Sequence, residues 1–204
     1  MVLAGATGSG KTRLLAGLPH LDLEDLAAHR GSAFGSLLHR EQPTQASFEN
    51  SLAWGLRQFR GSTLIVEDES RLIGRIVLPE PLMTAISSAP VICVERSAEE
   101  RAADLVEEYV TLPQKTVAPV NLQRHYESRL NLLLPRLGGA RHTQILSEIR
   151  AAFAGASPHH TWIHSLLVHY YDKRYEYSYS RLKRPELFKG DASACRHYLN
   201  SQFA

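Results

Sequence analysis

The sequence predicts an α/β fold in which helices cover both faces of a parallel sheet and a helical annex follows towards the C terminus. Three observations predict it. Short apolar runs alternate with helical patterns as far as Pro119, as in sheets whose parallel strands are joined by crossover helices. A glycine-rich segment, GATGSGKT, separates the first strand from the first helix. Residues 120 to 171 show helical periodicity with no strand pattern between the helices.

The first elements are a short buried strand at VLAG and a helix at KTRLLAGL, whose leucines recur on one side. Asp22 is placed to cap a short second helix, and Gly31 interrupts that helix. The segment QASFENSLAWGLRQF carries apolar side chains at helical spacing and predicts a longer helix.

Two further strands are predicted at STLIVED and PVICVER, because both are short runs rich in β-branched residues. A helix with proline in its first turn, PEPLMTAISSA, lies between them. In SAEERAADLVEEYV, Ser97 is followed three positions later by an acid, and this capping box predicts the start of the next helix.

The second half begins with three helical patterns, NLQRHYESRLNLLLPRL, HTQILSEIRAAFA and TWIHSLLVHYY. RYEYSYS alternates its tyrosines strictly, which suits either a strand or the aromatic edge of a helix. ELFKGDASACRHYL predicts a last strand and a terminal helix. We therefore expect three segments: a core over 1–119, a helical annex over 120–171, and a basic segment over 172–204 that returns to the core.

Composition favours a soluble cytoplasmic protein with one sizeable core. The chain has 204 residues, of which 44% are hydrophobic. No apolar stretch approaches the ~20 residues of a bilayer span, and no basic and apolar leader precedes the glycine-rich segment, so no membrane partner is expected. Cys93 and Cys195 form no CxxC pair, and we expect both to be packing residues.

Charge is distributed unevenly along the chain, although the net charge is only +2. Residues 1 to 120 hold 11 basic and 15 acidic side chains, a balance of −4, whereas residues 121 to 204 hold 12 and 6, a balance of +6. The asymmetry favours a polyanionic partner for the second half. A solubilising face on ordinary helices explains it equally well.

The glycine-rich segment satisfies the Walker A pattern G-x-x-x-x-G-K-[ST] in full and predicts a P-loop NTPase-like core. Its residues are Gly5, Gly8, Ser9, Gly10, Lys11 and Thr12. The glycines allow backbone N–H groups to surround an anion, the lysine neutralises terminal phosphate oxygens, and the threonine can hold Mg²⁺. Such a loop binds a di- or triphosphate, ATP and GTP included, without specifying which one.

An acidic cluster ends the strand in LIVEDE. Either Glu67 or Asp68 stands where a carboxylate would order a metal ion, and the sequence does not choose between them; ordinary solvation of a strand end is the alternative. Four arginines follow, Arg71 and Arg75 on the exit loop and Arg96 and Arg101 around the start of a later helix. The first two can reach the same phosphates, and the last two are either phosphate clamps or ordinary surface residues.

Three stretches behind GATGSGKT resemble a known family. They are DLEDLAAHRGSAFG, VEDESRLIGRIVLP and LLVHYYDKRYEYS, in that order. Together they closely resemble the phosphate-loop domain of the tRNA 2-selenouridine synthase family, and the resemblance covers essentially the whole chain. It implies an enzyme that acts on wobble 2-thiouridine in the tRNA anticodon. The resemblance implies that such enzymes first attach a geranyl group from geranyl diphosphate to the sulfur and then replace the S-geranyl group with selenium from selenophosphate.

The resemblance implies ligands and site residues. Geranyl diphosphate offers a diphosphate head for the glycine loop, and selenophosphate is a second small anion. The HRGSxFG and EDESRxIG motifs of the family fall on residues 29–35 and 67–74. The implied catalytic positions are His29, Arg30, Ser32, Glu67, Asp68 and Arg71, with Arg75 beside the bound ligand and Thr12 and Asp68 near the metal. His29 and Arg30 can donate charge-assisted hydrogen bonds to phosphate.

Two departures from the family limit this transfer. Full-length members carry an N-terminal rhodanese-like domain with a sulfurtransferase cysteine, and this chain begins at the phosphate-loop strand. We expect either an excised domain or a stand-alone relative, with a rhodanese domain in cis in a longer protein or acting in trans. In addition, Lys173 stands where the family has proline in YYDPxY, so the local turn is expected to differ.

A tyrosine-rich basic segment, HYYDKRYEYSYSRLKRP, predicts the RNA contact. Aromatic faces suit unstacked bases and cations suit the backbone, as an anticodon loop requires. The candidate RNA-binding residues are Tyr171, Lys173, Arg174, Tyr175, Arg181, Lys183 and Arg184. A half-buried strand with one polar face is the alternative from sequence alone.

Three functions remain open at this stage. The first is an RNA-modifying transferase domain. The second is an ATP-dependent small-molecule kinase, which the glycine loop and the acidic cluster also fit. The third is a non-catalytic nucleotide- and RNA-binding module. Only the HRGS and EDESR stretches separate them, and they do so by resemblance.

Overall fold

The structure, a computed structural model, describes residues 1–38 and 40–203. Its strands are β1 (Val2–Gly5), β2 (His20–Leu21), β3 (Ile65–Glu67), β4 (Leu72–Ile73), β5 (Ile76–Val77), β6 (Val91–Val94) and β7 (Glu186–Gly190). Its α-helices are α1 (Lys11–Leu15), α2 (Leu23–Ala27), α3 (Gln45–Gln58), α4 (Glu80–Ser88), α5 (Ala98–Val106), α6 (Leu112–Gln114), α7 (Pro119–Asn131), α8 (Leu134–Leu137), α9 (Gly139–Phe153), α10 (His159–Leu166), α11 (Asp172–Arg181) and α12 (Ala192–Gln202).

The chain forms two compact units. The first comprises Met1–Arg96 with Ser180–Ala204, and the second comprises Ser97–Tyr179. The second unit therefore takes in the helices from the capping-box helix α5 to α10 and most of α11, whereas α12 belongs to the first unit. None of the helices within the described ranges is both long and apolar enough to cross a membrane.

A five-stranded parallel sheet forms the centre of the first unit, with the strand order β2-β3-β1-β6-β7. The predicted strands at VLAG, STLIVED, PVICVER and ELFKG are all present, and the expected α/β class is confirmed. The short strand β2 and the antiparallel hairpin β4–β5 were not predicted. Two-residue strands carry too little periodic pattern to be found from sequence.

One face of the sheet packs against α1 and α12. Leu3, Ile65 and Ile92 are at most 1% exposed and belong to one apolar cluster with Leu15 and Leu199 from the two helices. Burial of these apolar side chains is the main favourable term that holds the helices on the sheet. Because α1 is fixed in this way, the first residues of that helix have a defined position at the end of β1.

The cysteine prediction is confirmed, since Cys93 and Cys195 are buried free thiols. Cys195 lies in the apolar cluster of the first unit. Burial raises the pKa of its thiol to about 11. Both cysteines therefore act in packing.

Two glutamine side chains hold the hairpin β4–β5 in place. Gln42 donates to the carbonyl oxygens of Ala27 and Ile73, at 3.0 and 2.9 Å. Gln45, at the start of α3, donates to the Val77 carbonyl and accepts from its N–H. These bonds satisfy backbone groups of the hairpin that would pair with a neighbouring strand in a larger sheet.

The second unit consists of helices interrupted by two π-helical turns, Glu107–Thr111 and Leu167–Tyr171. The predicted capping box of Ser97 and Glu100 is present at the start of α5. The tyrosine-rich segment, for which strand and helix were both open, forms helix α11, and Tyr175 stacks on Tyr179 with ring centroids 5.5 Å apart.

Candidate functional site

The glycine loop joins the end of the central strand β1 to the start of α1, as the motif predicts. Gly8 and Gly10 have φ values of 78° and 83°, a left-handed conformation that glycine adopts without steric cost. A Cβ on Gly5 would lie 2.5 Å from Oγ of Ser9, which is itself 1% exposed. Close packing therefore excludes a side chain at Gly5, and the left-handed backbone disfavours one at Gly8 and Gly10.

Lys11 and Thr12 open α1 and direct their polar atoms to different partners. The Lys11 ammonium donates to the Gly5 carbonyl at 2.9 Å. The Thr12 hydroxyl donates to Oε1 of Glu67 at 2.7 Å, across 55 residues of sequence. The second bond joins the glycine loop to the acidic motif.

Glu67 reaches Thr12 because its strand lies beside the strand that leads into the loop. In the parallel pair β1–β3, Leu3 is in register with Glu67, so both strands end at the same edge of the sheet. Glu67 is 3% exposed. Its burial raises the pKa of its carboxyl, while Lys11 and the hydrogen bond from Thr12 oppose that shift.

Asp68 faces a different partner. Its two carboxylate oxygens accept hydrogen bonds from Arg184 at 2.8 and 2.7 Å, and the Arg184 side chain is 1% exposed. Successive residues at a strand end project to opposite sides, which is why Glu67 and Asp68 cannot both meet Thr12. The structure thus distinguishes the two carboxylates that the sequence left equivalent.

Three carboxylates lie together near the glycine loop. One oxygen from each of Glu24, Glu67 and Glu69 lies within 4.8 Å of the others. Sequence analysis did not single out Glu24, which lies in the first turn of α2 behind the predicted cap Asp22. Two features of the sequence could have pointed to Glu24 as a candidate site residue. It follows the cap Asp22 by two positions, and it lies inside the first stretch that carries the family resemblance.

The crowding of these carboxylates shifts their ionisation. Burial, followed by repulsion from Glu69 and Glu67, raises the pKa of Glu24 to about 9. Burial, with repulsion from Glu67 and against the attraction of Lys11, raises the pKa of Glu69 to about 7. The cluster therefore retains protons at neutral pH, and an added cation would favour its ionised form.

The HRGS motif meets the acidic motif at Gly31. This residue has a φ of 59°, and a Cβ on it would lie 2.6 Å from Oε2 of Glu69 and 2.8 Å from Oε1 of Glu24. Glycine is needed here both for the backbone conformation and for the close approach of the two carboxyl groups. The family resemblance thus corresponds to a physical contact between its two motifs.

The remaining HRGS residues form a compact loop. His29 is buried and pairs with Ser36 in an isolated antiparallel bridge. The N–H of Arg30 donates to the Gly35 carbonyl at 2.9 Å, and the Gly35 N–H donates to the Ser32 carbonyl at the same distance. Catalytic roles for His29, Arg30 and Ser32 stay predictions.

The arginines of the first unit take up separate positions. The exposed side chain of Arg71 lies 3.4 Å from Glu80. Arg75 donates from its backbone N–H and its guanidinium to Gln42. Arg96 approaches the glycine loop, with its Nη1 3.8 Å from the position of a Cβ on Gly10. Of this group, Arg96 is therefore the one that the geometry places against the loop.

Arg101 belongs to the second unit, where it forms a buried ion pair. Its guanidinium is 4% exposed and donates two hydrogen bonds to Asp172, at 2.9 and 2.8 Å. Asp172 is the first residue of α11, and this pair joins it to Arg101 near the start of α5. Lys173, which replaces the family proline, follows it within the first turn of that helix.

The candidate RNA residues divide between the two units. Tyr171, Lys173, Arg174 and Tyr175 belong to the second unit, and Arg181, Lys183 and Arg184 belong to the first. Lys173, Arg174, Arg181 and Lys183 are exposed. Arg184 is engaged with Asp68, so its assignment to RNA stays a prediction with a competing structural role.

A family profile and individual relatives of known name both show similarity to this chain, and they carry the same family name. The family profile described as "tRNA 2-selenouridine synthase AAA domain" matches residues 1–204. Proteins named tRNA 2-selenouridine synthase are similar to the chain: one from Alcanivorax borkumensis is 39% identical over 98% of this chain, one from Hahella chejuensis is 38% identical over 97%, and one from Marinobacter nauticus is 34% identical over 98%.

The chain spans between 57% and 60% of the length of these curated relatives. No solved structure shows significant similarity to it.

Proposed function

Because this chain belongs to the tRNA 2-selenouridine synthase AAA domain family, we propose that it is the phosphate-loop part of a tRNA-modifying transferase. In this proposal the glycine loop binds the diphosphate of geranyl diphosphate, and the substrate is 2-thiouridine at the wobble position of tRNA. The observation that carries the proposal is the meeting of three motifs at one edge of the sheet. Thr12 bonds Glu67, and Gly31 lies against Glu24 and Glu69.

The proposed reaction needs stabilisation of a leaving group. The sulfur of 2-thiouridine forms a bond to C1 of the geranyl group, the bond from C1 to the diphosphate oxygen breaks, and diphosphate leaves with the electron pair. The nucleoside loses the proton from N3. Lys11 and the N–H groups of the loop supply positive charge where the diphosphate charge develops, which is the usual way such a site accelerates a reaction.

The residues present fit a magnesium ion. Mg²⁺ prefers oxygen ligands and is bound through few protein groups and the phosphates of its ligand. Thr12 and Glu67, whose oxygens are 2.7 Å apart, would hold it directly or through water. Asp68, predicted as a metal ligand from sequence, supports the site through its pair with Arg184 in this proposal. The ion would add charge against the departing diphosphate.

Selenophosphate is the proposed second substrate of the same loop. In the proposed second step, selenium from selenophosphate displaces the whole S-geranyl group, whose sulfur leaves as geranylthiol, and the buried thiols of Cys93 and Cys195 do not suit the role of a selenium carrier. We therefore assign the carrier to a rhodanese domain, in cis in a longer protein or in trans. Geranylation is the half-reaction proposed for this chain alone.

The experiment is a geranylation assay with a nucleotide control. Incubation with 2-thiouridine-containing tRNA, Mg²⁺ and geranyl diphosphate, followed by digestion and mass spectrometry, is expected to give an S-geranylated nucleoside. Lys11→Ala is expected to abolish the product while leaving tRNA binding in place. Steady ATP hydrolysis, or phosphoryl transfer to a metabolite, without any geranylated nucleoside would contradict the proposal, and the transfer to a metabolite would favour a kinase.

A further inference from the structure

A cluster of two arginines and a tyrosine in the second unit lies outside the site described above. The hydroxyl of Tyr170 accepts a hydrogen bond from Nη1 of Arg136 at 3.1 Å and one from Nη1 of Arg174 at 3.2 Å. Arg174 also lies over the Tyr170 ring, 5.6 Å from its centroid. One phenol oxygen therefore holds two guanidinium groups side by side.

The charge of this cluster is not balanced. Within the described part of the chain, no carboxylate lies at ion-pair distance from Arg136 or Arg174, whereas Arg101, Arg150 and Arg184 each pair with an acid. Two guanidinium groups that share a neutral acceptor repel each other, and an anion between them would relieve that repulsion. The arrangement suits the binding of a negatively charged group.

The fold holds the cluster rigidly while leaving its cations accessible. Tyr170 is 6% exposed and lies within the π-helical turn Leu167–Tyr171, a type of turn that is frequent at functional sites. Arg136 and Arg174 are exposed and come from separate helices, α8 and α11. The buried tyrosine thus fixes where two surface arginines converge.

Neighbouring residues extend the positive surface. His169 precedes Tyr170, and the pKa of its imidazole is lowered by burial and then by the nearby charges of Arg141 and Lys173. Tyr171 packs edge-on against Tyr170, with ring centroids 4.9 Å apart. Two further cations, opposed by the carboxylate of Glu148, therefore lie near His169, and one aromatic side chain lies against Tyr170.

We infer that Arg136 and Arg174, held by the Tyr170 hydroxyl, bind a backbone phosphate of the RNA substrate. The planar donors of arginine match the oxygens of a phosphate group. Both arginines are exposed, so they can reach the phosphate groups along an RNA strand. Tyr171 and Tyr175, close to them in sequence, offer aromatic faces for unstacked bases. The inference rests on the proposed function, because it takes tRNA as the partner, and it adds Arg136 to the RNA-binding residues.

The test measures tRNA binding over a series of NaCl concentrations. Arg136→Gln/Arg174→Gln is expected to weaken affinity roughly tenfold and to reduce the slope of log affinity against log salt by about 1. Arg150→Gln is the matched control, because it removes an exposed arginine of the same unit that is already paired with Glu127. It is expected to leave both readings unchanged. Tyr170→Phe keeps both charges and is expected to weaken binding with the slope unchanged.

The possible failures separate the inference from the proposed function. If the wild-type protein binds and geranylates tRNA while the double variant keeps its affinity and slope, the inference is wrong and the proposed function stands. If the wild-type protein does not bind tRNA, both are wrong. If inorganic pyrophosphate raises the melting temperature of Lys11→Ala, whose glycine loop is impaired, but not of Lys11→Ala combined with Arg136→Gln/Arg174→Gln, and tRNA binding is unaffected by the arginine substitutions, the cluster binds a small anion and the RNA assignment is wrong. If the double variant fails to fold, the single variant Arg136→Gln, at an exposed position, is tested in its place. Its tRNA affinity and the dependence of that affinity on salt then decide the question.

Discussion

Arg184 donates two hydrogen bonds to Asp68, although 116 residues separate them along the chain. The pair connects the residues just before the last strand of the sheet to the acidic motif. Its nitrogen–oxygen distances are 2.8 and 2.7 Å, and both side chains are largely withdrawn from solvent. The contact turns Asp68 away from the glycine loop and leaves Glu67 as the carboxylate bonded to Thr12.

Removal of one member of this pair is expected to be strongly destabilising. Arg184→Met leaves Asp68 as an uncompensated charge in a poorly solvated site and should lower the free energy of unfolding by about 3–5 kcal/mol. Asp68→Leu/Arg184→Met removes both charges and should recover most of the loss. Denaturant unfolding of the single and double variants gives the interaction energy. The exposed pair of Arg150 and Glu127 is the control, and Arg150→Met should have a much smaller effect; equal effects would contradict the assigned role.

The bond between Thr12 and Glu67 gives a prediction for catalysis. Glu67→Gln keeps an oxygen that can accept this bond but removes the negative charge and, in the proposed function, should lower the rate of geranyl transfer about 100-fold, in the range seen when one electrostatic group is removed from an active site. Thr12→Ser keeps the hydroxyl and should stay close to wild type, whereas Thr12→Val should resemble Glu67→Gln. Initial rates over a series of Mg²⁺ concentrations measure this. Full activity of Glu67→Gln would exclude the carboxylate from the reaction.

Substitution of Gly31 tests the contact between the two family motifs. Gly31→Ala places a methyl group against the carboxyl groups of Glu24 and Glu69 in a left-handed backbone conformation. The backbone conformation alone should lower the free energy of unfolding by about 1–2 kcal/mol. Gly139→Ala is the matched control, because a Cβ at Gly139 has open space around it. If the two variants unfold at the same denaturant concentration, the close approach at Gly31 is not as described.

The carboxylate cluster predicts an unusual dependence of stability on pH. Because the folded-state pKa of Glu24 is raised to about 9 from an ordinary 4.5, the folded protein binds more protons than the unfolded chain between these values. Its stability contribution is therefore full below the ordinary pKa and decreases as pH rises towards the folded-state pKa. Glu24→Gln mimics the protonated carboxyl and should raise the melting temperature near pH 8.

The measurement is a melting series between about pH 5 and pH 9 in metal-free buffer. Glu24→Gln should flatten the decline that the wild type shows over this range. Glu99→Gln is the control, because a backbone hydrogen bond and one to His164 lower the pKa of that exposed carboxyl, so it is ionised in the folded and the unfolded protein over this range and its substitution should leave the decline unchanged. A wild-type melting temperature that rises steadily over the series would contradict the proton binding assigned to the cluster.

Local patterns were enough to predict much of the fold. The capping box at Ser97, the cap at Asp22 and the glycine loop each depend on residues within a few positions of one another. Such features can be recognised because local hydrogen bonds and backbone conformations fix them. The strands β2, β4 and β5 could not be found in this way, since side chains distant in sequence, such as Gln42 and Gln45, hold the hairpin.

The tyrosine-rich segment shows how tertiary contacts settle an ambiguous pattern. Alternation of Tyr175, Tyr177 and Tyr179 fits a strand by period. In the helix, Tyr175 and Tyr179 stack one turn apart while Tyr177 is 63% exposed. The buried pair of Arg101 and Asp172 fixes the first residue of that helix. The choice between helix and strand depends here on a contact between residues 71 positions apart, which a local pattern of residues cannot reveal.

By itself, the sequence determined the phosphate loop, the strand before it and the helix after it, because backbone conformation and short-range hydrogen bonds specify that unit within residues 2–15. Only the tertiary structure decided that Glu67 meets Thr12, that Asp68 meets Arg184, and that Glu24 joins the acidic cluster. The reason is geometric. Residues far apart in the chain become neighbours only when parallel strands align in register and end at a common edge.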